Sequence, residues 1–339
     1  MSKLHVKSFM KKIVISVITA TVLIGVSACD KPKEETEGIS KPDFTEHYRN
    51  RGTNEIKIPD IVIDEIVFEN IDESIFQKEL PIYKTLKSDR KDGYVTELLD
   101  KFSFDSNYRI YERDEHDLYK DANNNELDYI GKGLFNFRIN GYDYNKTEHL
   151  TANMSDDEAK AMAVKCINEL KIPGDIVQEG CGVAWSEEDW HPTQKIVGYS
   201  RRVNDYKVMN INHGNYFASA ALEVWLSDSG INMVISFSHE YEENGMYTTI
   251  SKEKAIEKML NFSEYKDVYI EITDISEEGT FKFNLKNSVK IDSAELVYFD
   301  DFDPSLGGFD VLPGYCFGGE VFDETGNSAF FYALVCAIE

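Results

Sequence analysis

Ser251-Lys252-Glu253-Lys254 has the Ser-x-x-Lys spacing with which a helix start can present a serine nucleophile to a lysine base. The partner motifs of that chemistry, Ser-Asp-Asn and Lys-Thr-Gly, are absent, and a serine at a helix start is fully accounted for as an N-cap. Asp121, Asn123 and Asn125 occupy positions 1, 3 and 5 of an EF-hand-like loop, but Glu126 stands where the turn needs glycine and Lys132 where calcium needs a bidentate glutamate. Asp300, Asp301 and Asp303 offer a second set of carboxylate oxygens, with an exposed acidic turn as the plain alternative. The seven histidines show no His-x-x-x-His spacing, and there is no Cys-x-x-Cys, no Gly-x-Ser-x-Gly elbow and no phosphate-cradling glycine loop. Trp185 and Trp190, with Tyr199 near His191, have the flat apolar faces that stack on a sugar or a peptide, or that fill a core. The expectation is no enzyme: no catalytic residues, no metal ligands and no cofactor.

One cysteine sits where a different chemistry operates. Lys3, Lys7, Lys11 and Lys12 precede an apolar run over 13–26, which stops at Val26-Ser27-Ala28-Cys29. The run is shorter than the about 20 apolar residues of a spanning helix and has the basic start and small-residue end of an export signal. Cysteine after the small pair resembles the bacterial lipobox. That resemblance implies cleavage between Ala28 and Cys29, with the Cys29 thiol carrying a diacylglycerol. An uncleaved signal anchor is the alternative. Residues 1–28 are thus expected to be a lipoprotein signal peptide, and 29–43 a lipidated cysteine with a flexible tether. The tether is charged, holds Pro32 and Pro42, and has Ile39 as its one large apolar residue.

The chain of 339 residues holds 36 Lys+Arg against 61 Asp+Glu, a net charge of −25. Removal of the four signal lysines takes this to about −29. Such a surface repels phosphate backbones, so nucleic-acid binding is excluded as a function class. The 42% hydrophobic content can build ordinary cores, and 12% aromatic residues favour strands over a helical bundle.

Capping and periodicity divide the remainder. An N-terminal α+β domain is expected over 44–149, with strand-like runs at 61–68, 108–111 and 134–139 and a helix bearing Val95, Leu98, Leu99 and Phe102. A capping box at Ser155–Glu158 starts a second helix, whose apolar stripe is Ala159, Met162, Ala163, Cys166, Ile167 and Leu170 and which ends at Pro173-Gly174. Ser251 starts a third. Ser155 to Ser251 and Gly230 to Gly326 are both offset by 96 residues, and Glu223-Val224 to Glu320-Val321 by 97. A constant offset over helix, strand and turn predicts duplication, with repeat units at 150–248 and 249–339. The fold class expected is α+β: tandem units, each of one helix packed on an antiparallel sheet. If the terminal hairpin centres on Gly326, Cys316 and Cys336 fall opposite one another within disulfide reach. A one-residue slip sends them to opposite faces, and two buried free thiols are the alternative.

Three stretches carry a resemblance to a family: Ile250-Ser251-Lys252-Glu253-Lys254-Ala255-Ile256, Glu295-Leu296-Val297-Tyr298 and Leu312-Pro313-Gly314-Tyr315-Cys316-Phe317, followed by Gly326 and Phe331-Tyr332-Ala333-Leu334. They resemble the PepSY-like extracytoplasmic modules of Gram-positive bacteria, of the YycH/YycI type. The resemblance covers about 150–339 and more faintly 44–149. It implies a non-enzymatic module that touches another envelope protein, in the YycH/YycI case a membrane sensor kinase, and it supplies no catalytic residues. A lipobox in place of a membrane helix departs from that pattern. The sequence therefore supports an extracytoplasmic lipoprotein on the cell membrane, held in the bilayer by acylated Cys29 and binding or regulating an envelope protein. A binder of small ligands or glycans through Trp185 and Trp190 is the alternative. A hydrolase without recognisable motif is the third reading.

Overall fold

The computed structural model describes residues 39, 41–44, 62–87, 89–113, 116–143, 146–147, 149–186, 191–210, 220–273, 286–300 and 310–339. In chain order these form β1 (Val62–Phe68), β2 (Glu79–Thr85), α1 (Tyr94–Lys101), β3 (Arg109–Glu112), β4 (Asp117–Lys120), β5 (Glu126–Gly131) and β6 (Leu134–Arg138). Next come α2 (Asp156–Leu170), β7 (Asp175–Trp185), β8 (Pro192–Val203), β9 (Tyr206–Asn210), β10 (Leu222–Ser227), β11 (Gly230–Phe237) and β12 (Tyr241–Thr248). α3 (Lys252–Leu260), β13 (Val268–Thr273), β14 (Lys286–Asp300), β15 (Asp310–Asp323) and β16 (Ser328–Cys336) complete the order. Contacts divide the chain into two compact units. A central unit holds 84–242 and 300–309, and a split unit holds 1–83, 243–299 and 310–339.

The central unit is an antiparallel sheet in the order β7-β8-β10-β11-β6-β5-β4-β3, with β9 paired to the end of β8. Alternation along β5 turns Leu127 and Tyr129 into the core while Glu126 and Asp128 face outward, the period-2 signature of a half-buried strand. α2 begins at a capping box: Ser155 Oγ accepts from the Glu158 N–H at 3.2 Å, and Glu158 Oε2 accepts from the Ser155 N–H at 2.8 Å. Its buried stripe, Ala159, Ala163, Cys166 and Leu170, meets Leu98 and Leu99 of α1 and the inner faces of β5, β8 and β10 in one core.

The split unit is built on β14 and β15, a long antiparallel pair with β16 on the other side of β15, β13 beyond β16, and β1 running parallel to β14. Gly319 sits at the bulge between Ile291 and Ser293, where a Cβ would stand 2.0 Å from the Lys290 carbonyl oxygen, so only glycine lets the strands approach. Buried tyrosines here satisfy their hydroxyls on backbone: Tyr298 donates to the Pro81 carbonyl and Tyr315 to the Ile250 carbonyl, each at 2.8 Å.

This architecture corrects the expected α+β class of tandem one-helix units. The described residues hold sixteen strands and three α-helices, and the two halves of the presumed duplication pair differently. After α2 the chain meanders, β7 pairing with β8, β8 with β10 and β10 with β11. After α3 the first strand, β13, pairs with the last, β16, giving β13-β16-β15-β14. The constant offset records the spacing of caps and turns, which are local signals. The partner each strand finds is a non-local choice that this spacing does not encode.

Candidate functional site

Ala28 and Cys29 lie outside the described residues, as do Trp190, Asp301 and Asp303. Trp185 is half-buried at the end of β7, paired with Pro192. Ser251 is the N-cap of α3, accepting from the Lys254 N–H at 3.3 Å, while Lys254 Nζ donates to Glu257 at 2.8 Å and not to the serine. The Asp121 carboxylate is turned into its own loop, accepting from the Asn123 and Asn125 N–H groups at 2.9 Å each and from Asn125 Nδ2 at 2.9 Å.

Cys316 lies opposite Leu334 and Cys336 opposite Gly314, and both thiols are free. The loop of the hairpin is Glu324–Gly326, closed by the Asp323 N–H on the Asn327 carbonyl and the Gly326 N–H on the Asp323 carbonyl, both at 3.0 Å. Gly326 takes the left-handed position at φ +86°, as at the end of a three-residue hairpin loop, so the pairing centres on Thr325 instead of Gly326. That two-residue shift in register leaves the cysteines diagonal, a separation of roughly 7–8 Å that exceeds disulfide reach. Burial pushes the Cys336 thiol up to about 11, which makes it unreactive.

Three features of the structure were not read from the sequence. The first is a buried polar cluster in the central unit. Asp300, only 1% exposed, accepts from His239 Nδ1 at 3.0 Å and from the Tyr241 hydroxyl at 2.7 Å. The Arg201 guanidinium lies 4.0 Å over the Tyr241 ring. Gly174 shapes this cluster: it holds φ +84°, and a Cβ there would stand 2.5 Å from Arg201 Nε. Burial opposes charge on Asp300, but the hydrogen bonds from His239 and Tyr241 and the Arg201 charge outweigh it and hold the carboxyl below the usual range. Burial, then the Asp300 charge, drives the Tyr241 hydroxyl well above its ordinary value. The exposed acidic turn expected at Asp300 is thus a buried anion with its own donors. The spacing of His239 and Tyr241, two apart and so on one face, was the available signal.

The second is a cleft of about 520 Å³ in the split unit, lined by Lys41, Lys254, Lys258, Tyr265 and Asp267 among others, and not by Trp185. At its base the buried Lys258 ammonium donates to Asp267 at 2.8 Å and to the Cys336 carbonyl at 3.0 Å. The cleft's lysines and carboxylates neutralise one another, so it presents neither a cationic nor an anionic floor. No group of residues suited to holding a metal ion occurs among the described residues.

The third is the edge of the central sheet. All four residues of β3 are exposed, Ile110 at 50% and Tyr111 at 44%, and β3 pairs with β4 alone among the described strands. An edge of this kind offers a row of unpaired backbone donors and acceptors beside apolar side chains. No helix among the described residues is long and apolar enough to cross a membrane.

No family model matches the chain, and no curated protein matches it. Among solved structures, that of YycH from Bacillus subtilis is similar over 71% of this chain and 50% of that one, at 10% identity and a TM-score of 0.37. The chain thus spans half the length of that protein, and a likeness of this degree carries no argument about fold or function.

Proposed function

We propose that the chain is a non-enzymatic lipoprotein of the extracytoplasmic membrane face, anchored by an acylated Cys29, which works by binding another envelope protein. The observation that carries the binding role is β3, an edge among the described strands, where Ile110 and Tyr111 are exposed beside backbone that no described strand other than β4 pairs. The Val26-Ser27-Ala28-Cys29 signal supplies the location. The cleft of the split unit is lined by Tyr265 and not by Trp185, so it adds no support to a glycan reading through Trp185. A Cys29→Ala variant is expected to lose acyl labelling and to move from the membrane to the soluble fraction; unchanged membrane retention refutes the anchor. Photo-crosslinking from several exposed positions in intact cells is expected to join the folded part to an envelope protein, and crosslinks to none refute the binding role.

A further inference from the structure

The charges on β3 are left unmatched by its own sheet. Arg109 stands opposite Lys120 and Glu112 opposite Asp117, a like-charge pair at each end of a four-residue ladder. Like charges directly opposed weaken a strand pair. The charges of β4 are already taken from elsewhere: Lys120 Nζ donates to Glu126 at 2.6 Å, and Arg90 Nη1 to Asp117 at 3.3 Å. Arg109 and Glu112 have no ion-pair partner among the described residues. Between them lie Ile110 and Tyr111, both exposed, with Tyr108 just before.

Three other terminal strands are interrupted in ways that β3 is not. β7 is bulged at Gln178/Gly180 and again at Ala184/Trp185. β1 has a register shift between Ile63 and Glu65, and β12 carries Glu242, Glu243 and a Gly245 at φ +104°. Bulges and distorted backbone are among the devices that keep an edge single; β3 has only its shortness and its two charged residues. β3 has neither proline, glycine, lysine nor bulge.

We propose that β3 accepts an extended segment of the partner protein as an added strand, and that the segment carries one basic and one acidic residue separated by two apolar ones. Its cation meets Glu112, its anion meets Arg109, and its apolar pair covers Tyr111 and Ile110. The proposal rests on the reading that this chain binds a protein, and it names the mode and the chemistry. A second copy of this chain does not meet the requirement. Two copies paired edge to edge about a two-fold axis place residues of like parity opposite each other, so Arg109 of one copy never faces Glu112 of the other. Each copy also brings a net charge of −25.

Fluorescent peptides with the cores Lys-Val-Phe-Glu, which matches an antiparallel added strand, Glu-Val-Phe-Lys, which matches a parallel one, Glu-Val-Phe-Glu and Lys-Val-Phe-Lys, titrated against the full chain in detergent, test this. One of the two mixed-charge peptides, the one whose order suits the direction of the added strand, is expected to bind about five-fold tighter than either like-charged one, because one attractive cross-strand pair is exchanged for one repulsive pair. A Glu112→Arg variant is expected to prefer the doubly acidic peptide and Arg109→Glu the doubly basic one. Amide exchange at Arg109–Glu112 is expected to slow when the preferred mixed peptide is bound. Equal affinities, no change of preference in the variants, or unslowed exchange would each overturn the proposal. Envelope-protein crosslinks at other surfaces, with indifferent peptides, would sink this mode of binding alone. Selective peptides with no envelope-protein crosslink anywhere would sink the partner reading alone.

Discussion

Replacing Asp300 by asparagine preserves the shape of the side chain and an acceptor for His239 and Tyr241, but removes the negative charge that faces Arg201. Asp300 is 1% exposed and Arg201 7%, so water screens neither charge, and although the two form no direct ion pair, the guanidinium loses the anion that favours it. Removing the charge that two buried hydrogen bonds and the nearby guanidinium depend on costs about 1.5–3 kcal/mol, a sizeable part of the 5–15 kcal/mol that holds a domain together. All three tryptophans, Trp185, Trp190 and Trp225, belong to the central unit, so tryptophan fluorescence in urea reports this unit selectively. With a urea dependence of about 1–3 kcal/mol per molar, the Asp300→Asn midpoint is expected to fall by about 1 M. The double variant Arg201→Met with Asp300→Leu is expected to lose less than the two single replacements combined, because it removes both charges at once. The pH dependence has a definite sign. The folded pKa of Asp300 is depressed, so its contribution is present above the unfolded value of about 3.9 and is lost as pH falls through the lower folded value. The wild-type midpoint should therefore lose this contribution below about pH 4, and Asp300→Asn should have none to lose. A loss under about 1 kcal/mol for Asp300→Asn, with additive single and double variants, would refute the view that the cluster is a coupled charged unit.

Further tests address local structure. Ser155→Ala removes the side-chain half of the α2 capping box and is expected to destabilise the central unit by about 1 kcal/mol, seen as a shift of the same fluorescence transition; an unchanged midpoint counts against the cap. Mass mapping of the unfolded chain without reductant should find Cys166, Cys181, Cys316 and Cys336 all alkylatable, and a linked Cys316–Cys336 peptide would contradict the hairpin register.

Hydrogen bonding at β3 has an implication for how its edge is held in the absence of a partner. The strand contributes no residue to the core of the central unit, although Tyr108 lies beside Tyr119 with ring centroids 5.8 Å apart. Its attachment is the ladder to β4, in which both terminal pairs are like-charged. A strand so attached exchanges its amides early, and an added strand would relieve the repulsion by bringing opposite charges to Arg109 and Glu112.

Signals confined to a few neighbouring residues were legible in the sequence. The capping box at Ser155–Glu158, the N-cap Ser251, the stripe of α2 apart from the exposed Met162, and the turn at Gly326 each depend on signals within a turn or two of chain, and each appears in the structure. The Cys29 signal is of the same kind and is carried by sequence alone. Strand partners and register belong to the tertiary structure. The equal offsets between the two halves hid a meander in one unit and a closing strand in the other, because a strand's partner is chosen by apolar faces that come together only in the folded chain. The hairpin shows the same division on a smaller scale. Its glycine marked a turn, but the Asp323 carboxylate, accepting from the Thr325 and Asn327 N–H groups at 2.9 and 3.0 Å, accompanies a loop centred one residue earlier and a diagonal placement of the cysteines. Asp300, His239, Tyr241 and Arg201 are scattered over a hundred residues, and only the two-residue spacing of His239 and Tyr241 hints at them. Burial brings them together, since a charge taken out of water must find its donors wherever the fold supplies them.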